Sequence, residues 1–174
     1  MPKLLFVPGS LRAASSARAT ARTLIQRLGD RAECSTAEIG SLPLYNADLT
    51  DDPTVAAFIA AVEAADGVVF VTPEYNYSVP GVLKNAIDWA SRPSYQSVFV
   101  GKPCFVMSVS GGALGGVRAL GHLRIVLGAM LAEVFTCQDI VVPMANAKVV
   151  DGLLTDEAIL GFAEDRLHSF LARL

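Results

Sequence analysis

Three short runs, Leu4 to Val7, Val68 to Val71 and Cys104 to Val109, are apolar at every position but Ser108 and are rich in Val and Phe. Runs that do not alternate suit strands buried on both faces, as in a parallel sheet covered by helices. A weaker strand is expected over Cys34 to Ile39, and the mixed pattern from Glu133 to Val142 suits a strand at the edge of the sheet. Between these runs the apolar spacing becomes helical. Ala17, Ala21, Leu24, Ile25 and Leu28 share one face of a first helix, with Gly29 as its stop. Val55, Phe58, Ile59 and Val62 mark a second, where Asp52 can cap and Pro53 tolerates its missing N–H.

A third helix is predicted from Gly81 in PGVLKNAIDWASRP and a fourth in GGVRALGHLRIVLGAML. A fifth closes the chain in TDEAILGFAEDRLHSFLARL, with Ile159, Phe162, Ala163, Leu167, Phe170 and Leu171 facing inward. Strands alternating with helices require right-handed crossovers and a parallel sheet with helices on both faces. About five such units predict a flavodoxin-like doubly wound fold of α/β class, with a five-stranded parallel sheet in one domain over residues 1–174. In that order ligands bind at the carboxyl ends of the strands, so the loops there should carry the function. The irregular piece GSLPLYNADLTDDP is long enough to be a functional loop as well.

Composition narrows the field. The chain has 174 residues, 52% of them hydrophobic, yet no apolar run approaches the roughly 20 residues a bilayer-crossing helix needs. MPKLLFVPGS is too short an apolar stretch for a secretory signal, so the first strand is expected to start there and the cytoplasm is the expected location. A net charge of -3 with dispersed Lys and Arg offers no footprint for nucleic acid, which leaves a small-molecule partner. Cys34, Cys104 and Cys137 have no metal or disulfide spacing, and with only two histidines no metal site is expected.

Three loops hold the candidate chemistry. After the first strand, GSLRAASS places Ser10, Arg12, Ser15 and Ser16 at a helix start, where free N–H groups and the helix dipole favour an anion. Hydroxyl donors and a planar guanidinium suit phosphate oxygens. The alternative is a capping Ser15 or Ser16 beside a solvated Arg12. No G-x-x-x-x-G-K-[ST], no G-x-G-x-x-G and no thiol occur in this loop, so among phosphate ligands a terminal monophosphate such as that of FMN remains. In the second loop, Pro73 and Pro80 stiffen the chain, and Tyr75 and Tyr77 with Asn76 combine flat apolar surface with amide groups that suit a planar heteroaromatic ring; the alternative is a Pro-braced connection with both tyrosines partly buried. The third loop, with Gly111, Gly112, Gly115 and Gly116, leaves the backbone free to approach a ligand or a packing helix, or is simply a turn.

GSLRAAS followed by TPEYNYSVPGVLKNAIDWASRP closely resembles the NADPH-dependent FMN reductases, a flavodoxin-like group that includes bacterial quinone and chromate reductases; the likeness runs from Leu4 to about Lys148. The resemblance implies FMN as cofactor and NADPH or NADH as co-substrate. Hydride would pass from the nicotinamide through FMN to an acceptor such as a quinone, flavin, azo compound or chromate. It assigns the FMN phosphate to Ser10, Arg12 and Ser15, with Ser16 beside them, and the isoalloxazine to Pro73, Glu74, Tyr75 and Asn76. The ring edge falls to Ser108, Gly111, Gly112 and Ala113. Ala17 stands where relatives often carry Asn, so one phosphate contact is missing or supplied by Ser16. Because the flavin carries the electron chemistry, no catalytic acid–base pair is assigned, and Glu74 is expected to anchor its loop or face a neighbouring subunit. Homodimers or dimers of dimers are implied, with Trp89 at an interface and residues 43–49 reaching a partner's site. Arg118, His122 and Arg124 are expected to be solvated. The rival readings are a flavodoxin-like FMN electron carrier without nicotinamide turnover, and a non-redox binding module on the same fold.

Overall fold

A computed structural model describes all residues from Met1 to Leu174. The strands are β1 (Lys3–Pro8), β2 (Glu33–Thr36), β3 (Gly67–Pro73), β4 (Pro103–Val109), β5 (Glu133–Val134), β6 (Val141–Val142), β7 (Val149–Val150) and β8 (Leu153–Leu154). The helices are α1 (Ser16–Leu28), α2 (Pro53–Ala64), α3 (Gly81–Ala90), α4 (Val117–Ala129) and α5 (Glu157–Leu171). The parallel sheet runs β2-β1-β3-β4-β5, the flavodoxin-like order that the alternation of elements predicts.

Side chains alternate across the sheet, and both faces are covered. Leu5, Val7, Val68, Phe70 and Val106 join residues of α2, α3 and α4 in one core of 22 buried residues. Leu4, Phe6, Val69, Val71, Phe105 and Met107 join α1 and α5 in a second of 21, so neither face is left open. The cap predicted for α2 is present, and α5 begins with one of the same kind. Asp52 accepts the N–H groups of Thr54 and Val55, and Asp156 does the same for Ile159 at the start of α5. No helix is long and apolar enough to cross a membrane.

Two elements differ from expectation. The edge strand over Glu133 to Val142 is split: β5 pairs with the beginning of β4 and β6 with its end. The polar stretch Thr136 to Asp139 cannot lie in a buried strand and leaves the ladder. There Gln138 accepts from Arg166 at 2.7 Å, and Asp139 pairs with Arg124. Phe135 turns inward instead, stacked on Phe105 with 6.1 Å between ring centroids. β2 stops at Thr36, short of Ile39, because the chain leaves the sheet so that Ile39 and Leu42 can enter the core with Phe58.

A further element, not anticipated from the sequence, is a hairpin, β7–β8, which follows the split strand along the chain. Asp151 and Gly152 form its turn with φ of 51° and 75°, as a two-residue turn between right-twisted strands requires. Thr23 of α1 accepts the Leu154 N–H at 2.9 Å and ties the hairpin down. This tie brings the segment between β6 and β7, which contains Asn146, towards the start of α1.

Candidate active site

The loops after β1, β3 and β4 meet at the carboxyl end of the sheet around a polar cleft of about 130 Å3. Ser10, Arg12, Ser15, Ser16, Pro73, Glu74, Tyr75 and Gly111 line it, together with Ala17, Val109, Ser110 and Asn146. Four larger clefts, of about 380, 360, 440 and 210 Å3, lie beside α2, beside Tyr45 and Trp89, beside Arg31 and His168, and beside Lys3 and Glu33. None gathers this density of hydroxyl, guanidinium and amide groups, so chemistry rather than size selects the smaller one.

In the first loop, Ser15 is the N-cap of α1 and accepts the Arg18 N–H at 3.4 Å. The N–H groups of Ser16 and Ala17, the first two of the helix, have no partner within the chain. Arg12 is exposed and takes part in none of the eight ion pairs. Ser10 is buried, accepts the Arg12 N–H at 3.3 Å and meets the Tyr75 hydroxyl at 3.2 Å, which joins the first loop to the second. Arg18 braces the loop from below: Nε donates to the Ser10 carbonyl at 2.9 Å while the fork grips Glu38 at 3.1 and 3.2 Å. The hydrogen bond from Arg18 holds the Glu38 carboxyl below the usual carboxylate range.

The second loop closes as a tight turn, with Tyr75 N–H donating to the Ser78 carbonyl at 3.0 Å and Ser78 N–H returning to Tyr75 at 3.1 Å. Asn76 and Tyr77 between them have φ of 47° and 66°. Asn tolerates the left-handed region, whereas Tyr rarely adopts it, so the turn stores strain at the mouth of the cleft. Tyr77 is held by Arg118, whose guanidinium lies 4.4 Å from the ring centroid. Glu74 accepts the N–H groups of Arg118 and Ala119 at 3.0 and 3.1 Å, and so anchors its loop to α4 as expected. His122 bonds Ser78 and Arg124 pairs with Asp139; Arg118 and His122 are exposed, as expected, and Arg124 is half-buried.

Gly111, Gly112 and Ala113 are exposed in the third loop. Ser110 Oγ accepts the Gly112 N–H at 3.1 Å, leaving those of Gly111 and Ala113 without protein acceptors. Ser108 is placed differently from its loop neighbours: it is fully buried, and its hydroxyl donates to the Gly115 carbonyl at 2.8 Å. Its side chain therefore lies beneath the loop rather than on the cleft wall, and Asn76, Gly112 and Ala113 lie outside the narrow part of the cleft. Gly116, with φ of 85°, allows Ser108 and Glu74 to pack against the start of α4, where an added Cβ would stand 3.2 and 3.4 Å from them.

Trp89 is buried, and its Nε1 donates to the Pro43 carbonyl at 2.8 Å. Asn85 bonds both Pro43 and Tyr45, so α3 pins the 43–49 loop while Leu44 points outward. The cysteines take no part in the cleft: burial pushes the Cys104 thiol up to about 12. Val109, Ser110 and Asn146 are the wall residues that the sequence reading did not name.

The donor set fits a phosphate-tailed flavin: free helix N–H groups and an unpaired guanidinium at one end, and a rigid turn with open backbone at the other. Comparison with known proteins agrees. The family model for NADPH-dependent FMN reductases matches residues 2–148. An NAD(P)H-dependent FMN reductase of Pseudomonas aeruginosa is 38% identical over 96% of this chain and 92% of its own. A quinone reductase of Escherichia coli strain K12 is 39% identical over 93% and 89%. The solved structure of a flavoenzyme NAD(P)H:(acceptor) oxidoreductase from Paracoccus denitrificans superposes with a TM-score of 0.87 at 32% identity, over 99% of this chain and 96% of that one. These relatives are reductases and lend nothing to the electron-carrier reading. With the loop chemistry and the match over residues 2–148 in agreement, the chain belongs to the NADPH-dependent FMN reductase family, as an oxidoreductase with FMN for its cofactor and NAD(P)H for its reductant.

Proposed function

We propose that this chain is an NAD(P)H:quinone reductase that seats the FMN phosphate at the start of α1 and lays the isoalloxazine across the second and third loops. The observation that carries the reading is the set of uncommitted donors at one end of the cleft. The Arg12 guanidinium and the N–H groups of Ser16 and Ala17 have no protein partner, and Ser10 and Ser15 add hydroxyls beside them. At about 130 Å3 the cleft is smaller than the roughly 300–1,000 Å3 that encloses a whole small molecule. It suits the tail of the cofactor, with the ring left open to substrates.

When bound, FMN supplies the two-electron chemistry, accepting hydride from the nicotinamide and delivering it to the acceptor. The residues around it orient and tune. Pro73, Glu74, Tyr75 and Asn76 form a floor held in place by the Glu74 bonds to α4 and the Ser10–Tyr75 contact. The free N–H groups of Gly111 and Ala113 offer donors towards negative charge developing on the ring, and Gly112 lets the backbone come close. Ser108 acts through the backbone by fixing Gly115. No side chain is needed as an acid or base.

Quinones are proposed as the acceptor class because relatives covering most of this chain are named quinone reductases. The pinned 43–49 loop, with Leu44 and Leu49 exposed, supports a homodimer or dimer of dimers in which this loop faces a partner. The cytoplasm is the proposed location. Turnover measured with NADPH and with NADH against benzoquinones, free flavin, an azo dye and chromate tests the assignment. The highest kcat/KM should be with a quinone, and quinones ranking below the other acceptors would overturn it.

A further inference from the structure

Asn146 lies 130 positions beyond Ser16, yet the two meet in the cleft: Ser16 Oγ donates to Asn146 Oδ1 at 3.4 Å. The turn carrying it is built into the site. Met144 adopts φ of 51°, its N–H donates to the Gly112 carbonyl at 3.1 Å, and Ala145 N–H donates to Ser110 at 2.9 Å. Those bonds strap residues 144–147 to the third loop.

Gly111 then makes room for the amide, since a Cβ there would stand 2.8 Å from Asn146 Nδ2. With Oδ1 turned to Ser16, the two Nδ2 hydrogens have no protein acceptor. A donor is thus held beside the two free N–H groups that open α1, at a wall where Ala17 offers no polar side chain.

We infer that Asn146 is a cofactor-binding residue whose Nδ2 donates to a phosphate oxygen of FMN. This rests on the placement of the phosphate at the start of α1. The hairpin beyond β6 thereby takes part in cofactor retention, because its tie to Thr23 helps fix the turn from which Asn146 projects. Ser16 orients the amide and need not itself reach the phosphate.

The test measures equilibrium binding of FMN and of riboflavin to the apoprotein, by flavin fluorescence, for wild type, Asn146→Ala, Asn146→Asp, Gly111→Ala and the double variant of Gly111→Ala with Asn146→Ala. Loss of one hydrogen bond to a charged group predicts FMN binding about 10-fold weaker in Asn146→Ala, with riboflavin binding unchanged. Asn146→Asp should be weaker still, because a carboxylate faces the phosphate. Gly111→Ala should weaken FMN binding in the wild-type background and add nothing in Asn146→Ala, since it acts by displacing the amide. Wild-type FMN affinity in Asn146→Ala, or equal losses for FMN and riboflavin, overturns the inference. A wild-type protein that binds FMN no better than riboflavin instead overturns the phosphate placement itself.

Discussion

The carboxylate of Glu74 accepts the backbone N–H of Ala119 at 3.1 Å and caps a helix that begins 43 residues further along the chain, at Val117. Gly116, at the N-cap position of α4, has no side chain to serve, so the cap comes from the loop that would carry the flavin ring. The floor of the cleft and the helix behind it are therefore one unit. Glu74→Ala should cost about 1–2 kcal/mol in chemical denaturation, in the range of a lost helix cap. Glu74→Gln, which keeps an acceptor, should retain most of that stability. Equal losses in the two variants would show that the carboxylate is held for another reason.

The Arg12 guanidinium is exposed and unpaired, and the residue's one hydrogen bond, to Ser10, comes from its backbone N–H, so truncating the side chain removes nothing that the folded apoprotein needs. Arg12→Ala should leave the thermal midpoint of the apoprotein unchanged and weaken FMN roughly 10- to 100-fold, the range for hydrogen bonds to a charged group. Unchanged flavin occupancy would count against the phosphate assignment.

Gly112 has space: an added Cβ would come no closer than 3.5 Å, to Ser110 Oγ. Gly112→Leu should therefore fold with a stability change within about 0.5 kcal/mol, as at other surface positions. It should still shift FMN affinity or midpoint potential by crowding the ring. A variant matching wild type in both would remove this loop from the site.

Acid should loosen the first loop through Glu38. Its folded-state carboxyl titrates below the usual value because of the Arg18 hydrogen bond, so its contribution is complete above about pH 4.3 and is lost as pH falls through the depressed value. Arg18 then keeps its bond to the Ser10 carbonyl but loses the brace behind it. FMN retention in wild type should fall on going from about pH 5 to about pH 3, and less steeply in Glu38→Gln. The same pH dependence in both proteins would separate Glu38 from the loop.

Much of this was legible in the sequence because burial on both faces writes unbroken apolar runs, and helix starts at Ser15, Asp52 and Asp156 use local caps. The split of the edge strand was masked by its apolar ends, Val134 and Val141, although the polar Thr136 to Asp139 between them marks the break. Val149-Val150-Asp151-Gly152-Leu153-Leu154 carries a two-residue turn signal that would have located the hairpin. The site was legible where one loop supplies its own chemistry, as in Ser10 to Ser16. It was not legible where partners come from distant segments: the meeting of Asn146 with Ser16 depends on tertiary packing across 130 positions. Ser108 shows the converse, a polar residue at a strand end whose hydroxyl serves the loop's own backbone.

The most direct measurement is an anaerobic titration of the purified, FMN-loaded protein with NADPH and NADH, followed by a quinone. The account predicts that the yellow flavin band bleaches within seconds of adding a nicotinamide and returns when the quinone is added. A flavin-loaded protein whose spectrum ignores both nicotinamides would contradict it.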